Sequence, residues 1–386
     1  MVQARVLVLA TLSTKSEETT YFLQQLQNHS VTGVQVDLSL DTAGKIVDGP
    51  DKLSAMNAAA LQASEAASIA LEEGVQAVIG LGGGTGGEIA LQVLRNLPIS
   101  LPKVLITTLP FDPRIAVADS SVILVPTLVD LCGLNATLRG VLANAAALTA
   151  GLCKTRSELG SDMGRTSVGV TSLGATEGAV SPLVARLKVH GHESTVFHAN
   201  GFGGAAFSRF IDHGAFHAIV DLTPHELTRL HIAGAHAPMP NRFSAGSDLP
   251  RVVLPGALNF VGLGKRSTLP QHYLSREHYE HSGYFTHAKL THAEMQLVAK
   301  LLSKSLNQHK GDVTLIVPMG GFSHQDRPQG AIEDEGLRKV FLDTVGENIN
   351  PKVQVQVLPQ HISDPEVTDV ILDALPSFPK GSKCLN

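Results

Sequence analysis

Residues 82–87 read Gly82, Gly83, Gly84, Thr85, Gly86, Gly87, between an apolar β-branched run and a stretch of helical period. Chain that passes from strand to helix through glycines can do two things for a ligand. Without Cβ atoms it can adopt positive φ and let a ligand approach the amides closely. The first helical turn also aims unpaired N–H groups and the positive end of its dipole into the turn. Both features suit an anion, so these residues are expected to hold a phosphate-bearing ligand. The Thr85 hydroxyl would add a bond to phosphate or to magnesium bound with it. The spacing also matches GxGxxG at Gly82, Gly84 and Gly87. However, the next strand ends in Thr107, Thr108 and Leu109, with no acidic residue to hold a ribose, which disfavours a nicotinamide dehydrogenase. A Walker lysine is absent as well. A tight turn without ligand is the plain alternative.

Three further sets carry chemistry. Thr11, Thr14 and Lys15 close the first strand and could bind phosphate oxygens; with Glu17 and Glu18 they equally describe a helix cap with an acidic first turn. Two more glycine turns, one with Gly174 and Thr176 and one with Gly201, Gly203 and Gly204, stand at strand ends and are candidates for the facing wall of a ligand cleft. Each also reads as an ordinary turn between strand and helix. Asp221 and Glu226, with His198 from a neighbouring strand end, form a candidate general acid–base trio. The competing reading has Asp221 accepting bonds from loop amides and Glu226 favouring a helix N-terminus. Of the 17 histidines none stands at zinc-ligand spacing, and the HExxH pattern fails at Arg229, so no metal site is expected from them.

These residues need elements to position them. Continuous apolar runs at 5–11, 76–81, 103–109 and 121–125 read as buried parallel strands, separated by helical patterns at 16–28, 51–73, 88–96 and 135–155. After a polar stretch at 155–165 the alternation restarts, through strands at 166–173, 194–198, 217–222, 251–255, 312–318 and 353–358. The fold class is therefore α/β: two Rossmann-like subdomains, residues 1–160 and 161–386, with mainly parallel sheets and a cleft between them. Ligands of such sheets lie beyond the carboxyl ends of the strands. Residues 233–284, rich in His, Pro and Gly, read as a long surface excursion. A net charge of −5 without a basic block argues against nucleic acid. Three cysteines without CxxC spacing fit a reducing compartment. Neither a signal peptide nor an apolar run of membrane-spanning length is read, which places the chain in the cytoplasm.

The segments ATLSTKSEE, GLGGGTGG, VDLCGLNATLRGVLANAAALTAG and VGVTSLGATEGAV, followed in order by VFHANGFGGAAF, IVDLTPHEL, VLPGALNFVGLG and HISDPEVTD, cover nearly the whole chain. Together they resemble the ATP-binding domain family typified by the tomato mosaic virus resistance protein. The resemblance implies two α/β subdomains, ATP as the ligand of the glycine-rich turn, and self-association into a homodimer. Ala10 and Ser13 stand where that family's first motif carries glycine and aspartate. ATP binding is expected to carry over and the antiviral role is not. Two function classes follow. One is a nucleotide-binding regulatory or interaction module with a protein partner. The other is a metabolic enzyme acting on a small phosphorylated or carboxylated substrate in the cleft.

Overall fold

The computed structural model describes residues 3–40, 48–155 and 166–376. The polar stretch read as the boundary, from residue 156 on, and Cys384 lie outside them. The chain divides into two units, Met1–Ser161 and Asp162–Asn386.

The first unit runs β1 (Ala4–Ala10), α1 (Leu12–Asn28), β2 (Val31–Asp37), α2 (Gly49–Glu72), β3 (Ala77–Gly82), α3 (Gly84–Asn96), β4 (Lys103–Thr107), α4 (Pro113–Ala116), β5 (Val122–Pro126) and α5 (Ala136–Thr155). Its strands are all parallel, in the order β2-β1-β3-β4-β5. The unbroken apolar character of β1 has a direct cause, since alternate side chains enter two different cores. Leu7 and Leu9 pack with α2 and α3, through Ala63, Ala67, Ile89 and Leu94, whereas Val6 and Val8 pack with α1 and α5, through Phe22, Leu26, Leu138 and Leu142. Asn135 caps α5, its Oδ1 accepting the Leu138 amide at 2.9 Å. By length and composition α5 could cross a membrane, but its apolar stripe is spent on the sheet.

The second unit runs β6 (Thr166–Ser172), α6 (Glu177–Val189), β7 (His192–His198), α7 (Gly203–Asp212), β8 (Ala218–Asp221), α8 (Glu226–His231), β9 (Arg251–Val253), β10 (Phe260–Leu263), α9 (Gln271–Leu274), β11 (His278–Ser282), β12 (Phe285–Lys289), α10 (His292–Leu306), β13 (Val313–Pro318), α11 (Glu335–Asn348), β14 (Gln354–Leu358) and α12 (Pro365–Ala374). Its parallel sheet has the order β14-β13-β9-β8-β6-β7. Residues 233–284 are not the excursion their composition indicates. They supply β9 to the parallel sheet, and β10 and β11 to a small antiparallel sheet of order β10-β12-β11. β9 coincides with the strand read at 251–255; the short strands β10 and β11, paired to a distant partner, leave little local periodicity and stay hidden in the sequence.

Both parallel sheets reverse winding direction once. In the first unit the chain moves outward from β1 to β2 and returns to place β3 on the other side of β1; in the second, β6, β7 and β8 repeat the step. The carboxyl ends of β1 and β3, and of β6 and β8, are therefore switch points, where doubly wound sheets open a crevice.

Candidate functional site

At the first switch point the glycine-rich stretch is not a loop. Gly82 ends β3, Gly83 is the helix cap with φ −78°, and Gly84, Thr85, Gly86 and Gly87 already belong to α3. None of these glycines has positive φ. Most of them serve close packing. A Cβ on Gly82 would lie 2.5 Å from the Gly86 carbonyl carbon and the Gly87 nitrogen, and one on Gly87 would lie 2.9 Å from the Gly82 oxygen. A Cβ on Gly86 would meet the Thr11 side chain at 3.0 Å. Gly84 is different, because a Cβ there meets no heavy atom within 4 Å. Gly84 thus stands before open space at a helix N-terminus that no side chain caps.

The neighbouring N-terminus, that of α1, is already occupied. Asp37 Oδ1, at the end of β2, accepts the Leu12 amide at 2.9 Å, and Ser39 Oγ accepts the Ser13 amide at 2.9 Å. Burial works to raise the Asp37 pKa, but the bonds from Ser39 and Leu12 outweigh it and hold the carboxyl below its usual range. Thr11 and Thr14 share a hydroxyl–hydroxyl contact of 3.3 Å. Lys15 donates through Nζ to the Leu131 carbonyl, and the buried Glu18 accepts the Gly133 amide at 2.8 Å. Of the first-strand trio, Thr11 touches the glycine turn directly, and Lys15 is turned toward the chain that follows β5.

Gly84 also lies on the rim of a cavity of about 540 Å³. Leu91, Phe111, Ile115 and Ala116 provide its apolar wall, while Glu88, Gln92, Arg95 and Asp112 provide polar edges. The chain reaches Phe111 through Leu109, which holds the left-handed φ of +52°, an arrangement costing roughly 1–3 kcal/mol that recurs at ligand sites. Sequence reasoning missed this wall. The signal available was Asp112 before Pro113, a cap and first-turn proline that marks α4; in the structure Asp112 accepts the Arg114 amide at 2.9 Å.

In the second unit the trio Asp221, Glu226 and His198 separates into two kinds of residue. Asp221 and Glu226 are buried and bound to one guanidinium. Arg242 donates to Asp221 through Nη1 at 2.8 Å and Nη2 at 2.9 Å, and through Nε to Glu226. Thr171 adds a bond to Asp221 at 2.7 Å. Burial opposes the Asp221 charge, but Arg242, Arg251 and Thr171 hold the carboxyl below its usual range; burial likewise opposes the Arg242 charge, but Asp221 and Glu226 raise the guanidinium. His198 is exposed and near enough for Glu226 to act on its charge, but it holds neither carboxylate by a hydrogen bond. Glu226 also accepts the Gly204 amide at 2.8 Å, with the Gly201 amide at 3.4 Å, and Asn200 accepts those of Phe202 and Gly203. The turn with Gly201, Gly203 and Gly204 is thus closed around a protein carboxylate, where a phosphate would otherwise sit. Thr176 is consumed too, bonded to the Leu173 amide at 3.0 Å and the Thr223 hydroxyl at 2.8 Å, which leaves Gly174 exposed above it. Arg242 gave no sign in the sequence, since it lies in an irregular stretch 21 residues beyond Asp221.

Two family models match the chain, the N-terminal domain of Uncharacterised protein family (UPF0261) over residues 41–158 and its C-terminal domain over residues 165–378. A UPF0261 protein of Rhizobium meliloti is 30% identical over 96% of this chain and 98% of its own length. One from Clostridium tetani is 28% identical over 94% and 96%. The ToMV resistance protein Tm-1 of Solanum lycopersicum is 32% identical over 78% of this chain, a match that spans 41% of the tomato protein.

Proposed function

The chain belongs to Uncharacterised protein family UPF0261, and from that premise we propose that it is a nucleotide-binding protein whose ligand is ATP, acting as a regulatory or interaction module. The observation that carries the reading is the uncapped N-terminus of α3 at a switch point, opening beside Gly84 onto a cavity with an aromatic wall. The amides of Gly84, Thr85 and Gly86 would hold phosphate oxygens, with the positive end of a 13-residue helix behind them. Thr11 and Thr85 would add hydroxyls, and magnesium would accompany the phosphates. Phe111, Leu91 and Ile115 suit the flat apolar face of a purine, with Gln92 and Asp112 at its polar edge. The lean toward a module over an enzyme comes from the acidic pair, because Asp221 and Glu226 are saturated by Arg242.

Calorimetric titration of magnesium-ATP into the wild type and Gly84→Val tests the reading. The wild type is expected to bind and to turn over negligibly. Gly84→Val is expected to weaken binding about tenfold or more, since charge-assisted bonds each contribute roughly 1.5–3 kcal/mol. Its thermal unfolding should stay unchanged, because the added side chain enters open space. Absence of binding heat in the wild type overturns the assignment.

A further inference from the structure

Over the second switch point lies the β10-β12-β11 sheet, with Gly262, His287 and Tyr279 in register across it. The Phe260 ring packs between two histidines, 4.7 Å from the His225 centroid and 4.2 Å from that of His287. The hydrogen bond of His225 defines its tautomer. His225 Nδ1 lies 2.7 Å from the Ala257 carbonyl, which can only accept, so the proton is on Nδ1 and Nε2 is a bare lone pair. Ala257 holds the left-handed φ of +56° to present that carbonyl. Tyr279 places its hydroxyl 2.8 Å from His287 Nδ1; with that hydroxyl as donor the His287 proton is on Nε2. Burial pushes His225 well below the ordinary histidine range; burial first, then His281 and Arg229, push His287 down to about 3. Both rings are neutral at pH 7; His225 offers an acceptor, and His287 offers a donor when Tyr279 donates to its Nδ1.

Arg229 stands beside them. Its side chain is nine-tenths buried, its Nη1 donates to the Ala235 carbonyl at 3.2 Å, its Nε has no partner, and among the described residues it forms no ion pair. The nearby Glu226 is committed to Arg242 and the Gly204 amide. A Cβ on Gly262 would sit 2.4 Å from Arg229 Nη2 and 3.2 Å from the unpartnered, fully buried His225 Nε2, so the glycine is what leaves these two groups facing each other. The rim is exposed. The His281 ring lies parallel to that of His287 at 5.0 Å and borders Gly174, whose Cβ would be 3.7 Å away.

We infer that the second unit carries its own small-anion site at the carboxyl ends of β6 and β8. Arg229 takes the oxyanion of a small organic acid, carboxylate or phosphoryl. The His287 Nε2–H donates to a neighbouring carbonyl or hydroxyl oxygen of the same molecule, and His225 Nε2 accepts from it. A buried guanidinium without an ion pair and a buried imidazole nitrogen without a donor are the groups such a ligand would satisfy. The site lies wholly within the second unit and stands whether or not the first binds a nucleotide.

Side-chain nitrogen NMR of the histidines tests this, with oxalate and inorganic phosphate as separate probes. The free protein is expected to show neutral His225 protonated at Nδ1 and neutral His287 protonated at Nε2. Either probe should move both rings saturably, and the more effective one assigns the class, carboxylate or phosphoryl. Arg229→Gln should abolish the movement; should it fold poorly by circular dichroism, Arg229→Lys is the second variant and should weaken binding at least tenfold. The inference is overturned by rings that neither probe moves, or by movement that persists at undiminished affinity in the arginine variants, which would mean an adventitious ion only.

Discussion

Replacing Arg242 with methionine separates a structural role for Asp221 and Glu226 from a chemical one. The wild-type guanidinium is fully buried, binds Asp221 in a fork and Glu226 through Nε, and lies over the Phe207 and Phe243 rings at 5.0 and 4.5 Å. Methionine keeps the aliphatic volume but leaves two buried carboxylates with only Thr171, the glycine amides and Arg251, 3.9 Å from Asp221. Removing one partner of a buried ion pair costs about 3–5 kcal/mol. At about 2–4 °C per kcal/mol for a unit of this size, the melting temperature should fall by about 6–20 °C. The pH dependence should change sign. In the wild type the Asp221 carboxyl is held below its ordinary 3.8, so its contribution is present above that value and lost as the pH falls through the depressed folded pKa. Without Arg242 the burial effect dominates and raises the folded pKa, so its contribution is greatest at acid pH and lost as the pH rises. Melts followed by circular dichroism at pH 5 and pH 7 should therefore show Arg242→Met more stable at pH 5. The triple variant Asp221→Asn, Glu226→Gln, Arg242→Met should recover much of the loss, since it buries no carboxylate and leaves Arg251 its bond to the Ala245 carbonyl. Stability within 1 kcal/mol of wild type, with an unchanged pH profile, would refute the reasoning and return both carboxylates to acid–base candidacy.

The glycines of α3 should divide by variant. Gly82→Ala drives a Cβ to 2.5 Å from the Gly86 and Gly87 backbone and is expected to lower stability by about 1–3 kcal/mol in denaturant unfolding, in contrast to the harmless Gly84→Val. Phe111→Ala should weaken ATP binding by about 1–3 kcal/mol, the range of a base–aromatic stack, while leaving inorganic tripolyphosphate affinity unchanged. Equal loss for both ligands in calorimetry would place the base elsewhere.

The alternation of elements was legible because periodicity is a local property. Within the strand read at 5–11, residues 6–10 are all apolar since β1 faces a core on each side, and the structure moves its bounds by only one residue, to Ala4–Ala10. The chemistry of the glycine turns was half legible. A glycine is written the same way whether it spares a clash, as Gly82 does, or stands open to a ligand, as Gly84 does. The turn with Gly201, Gly203 and Gly204 looks like a phosphate loop until Glu226 is brought to its amides from 22 residues beyond Gly204.

By itself, then, the sequence determined the parallel α/β architecture and the order of its parallel strands along the chain, because burial pattern and turn residues act over a few positions. It also showed that strand ends would carry the polar residues. Only the tertiary structure decided which helix N-terminus remains uncapped, that Arg242 joins Asp221 to Glu226, and that His225, His287 and Arg229 converge under the antiparallel sheet. Those pairings depend on strand order and on residues tens of positions apart, and no local pattern encodes a partner that distant.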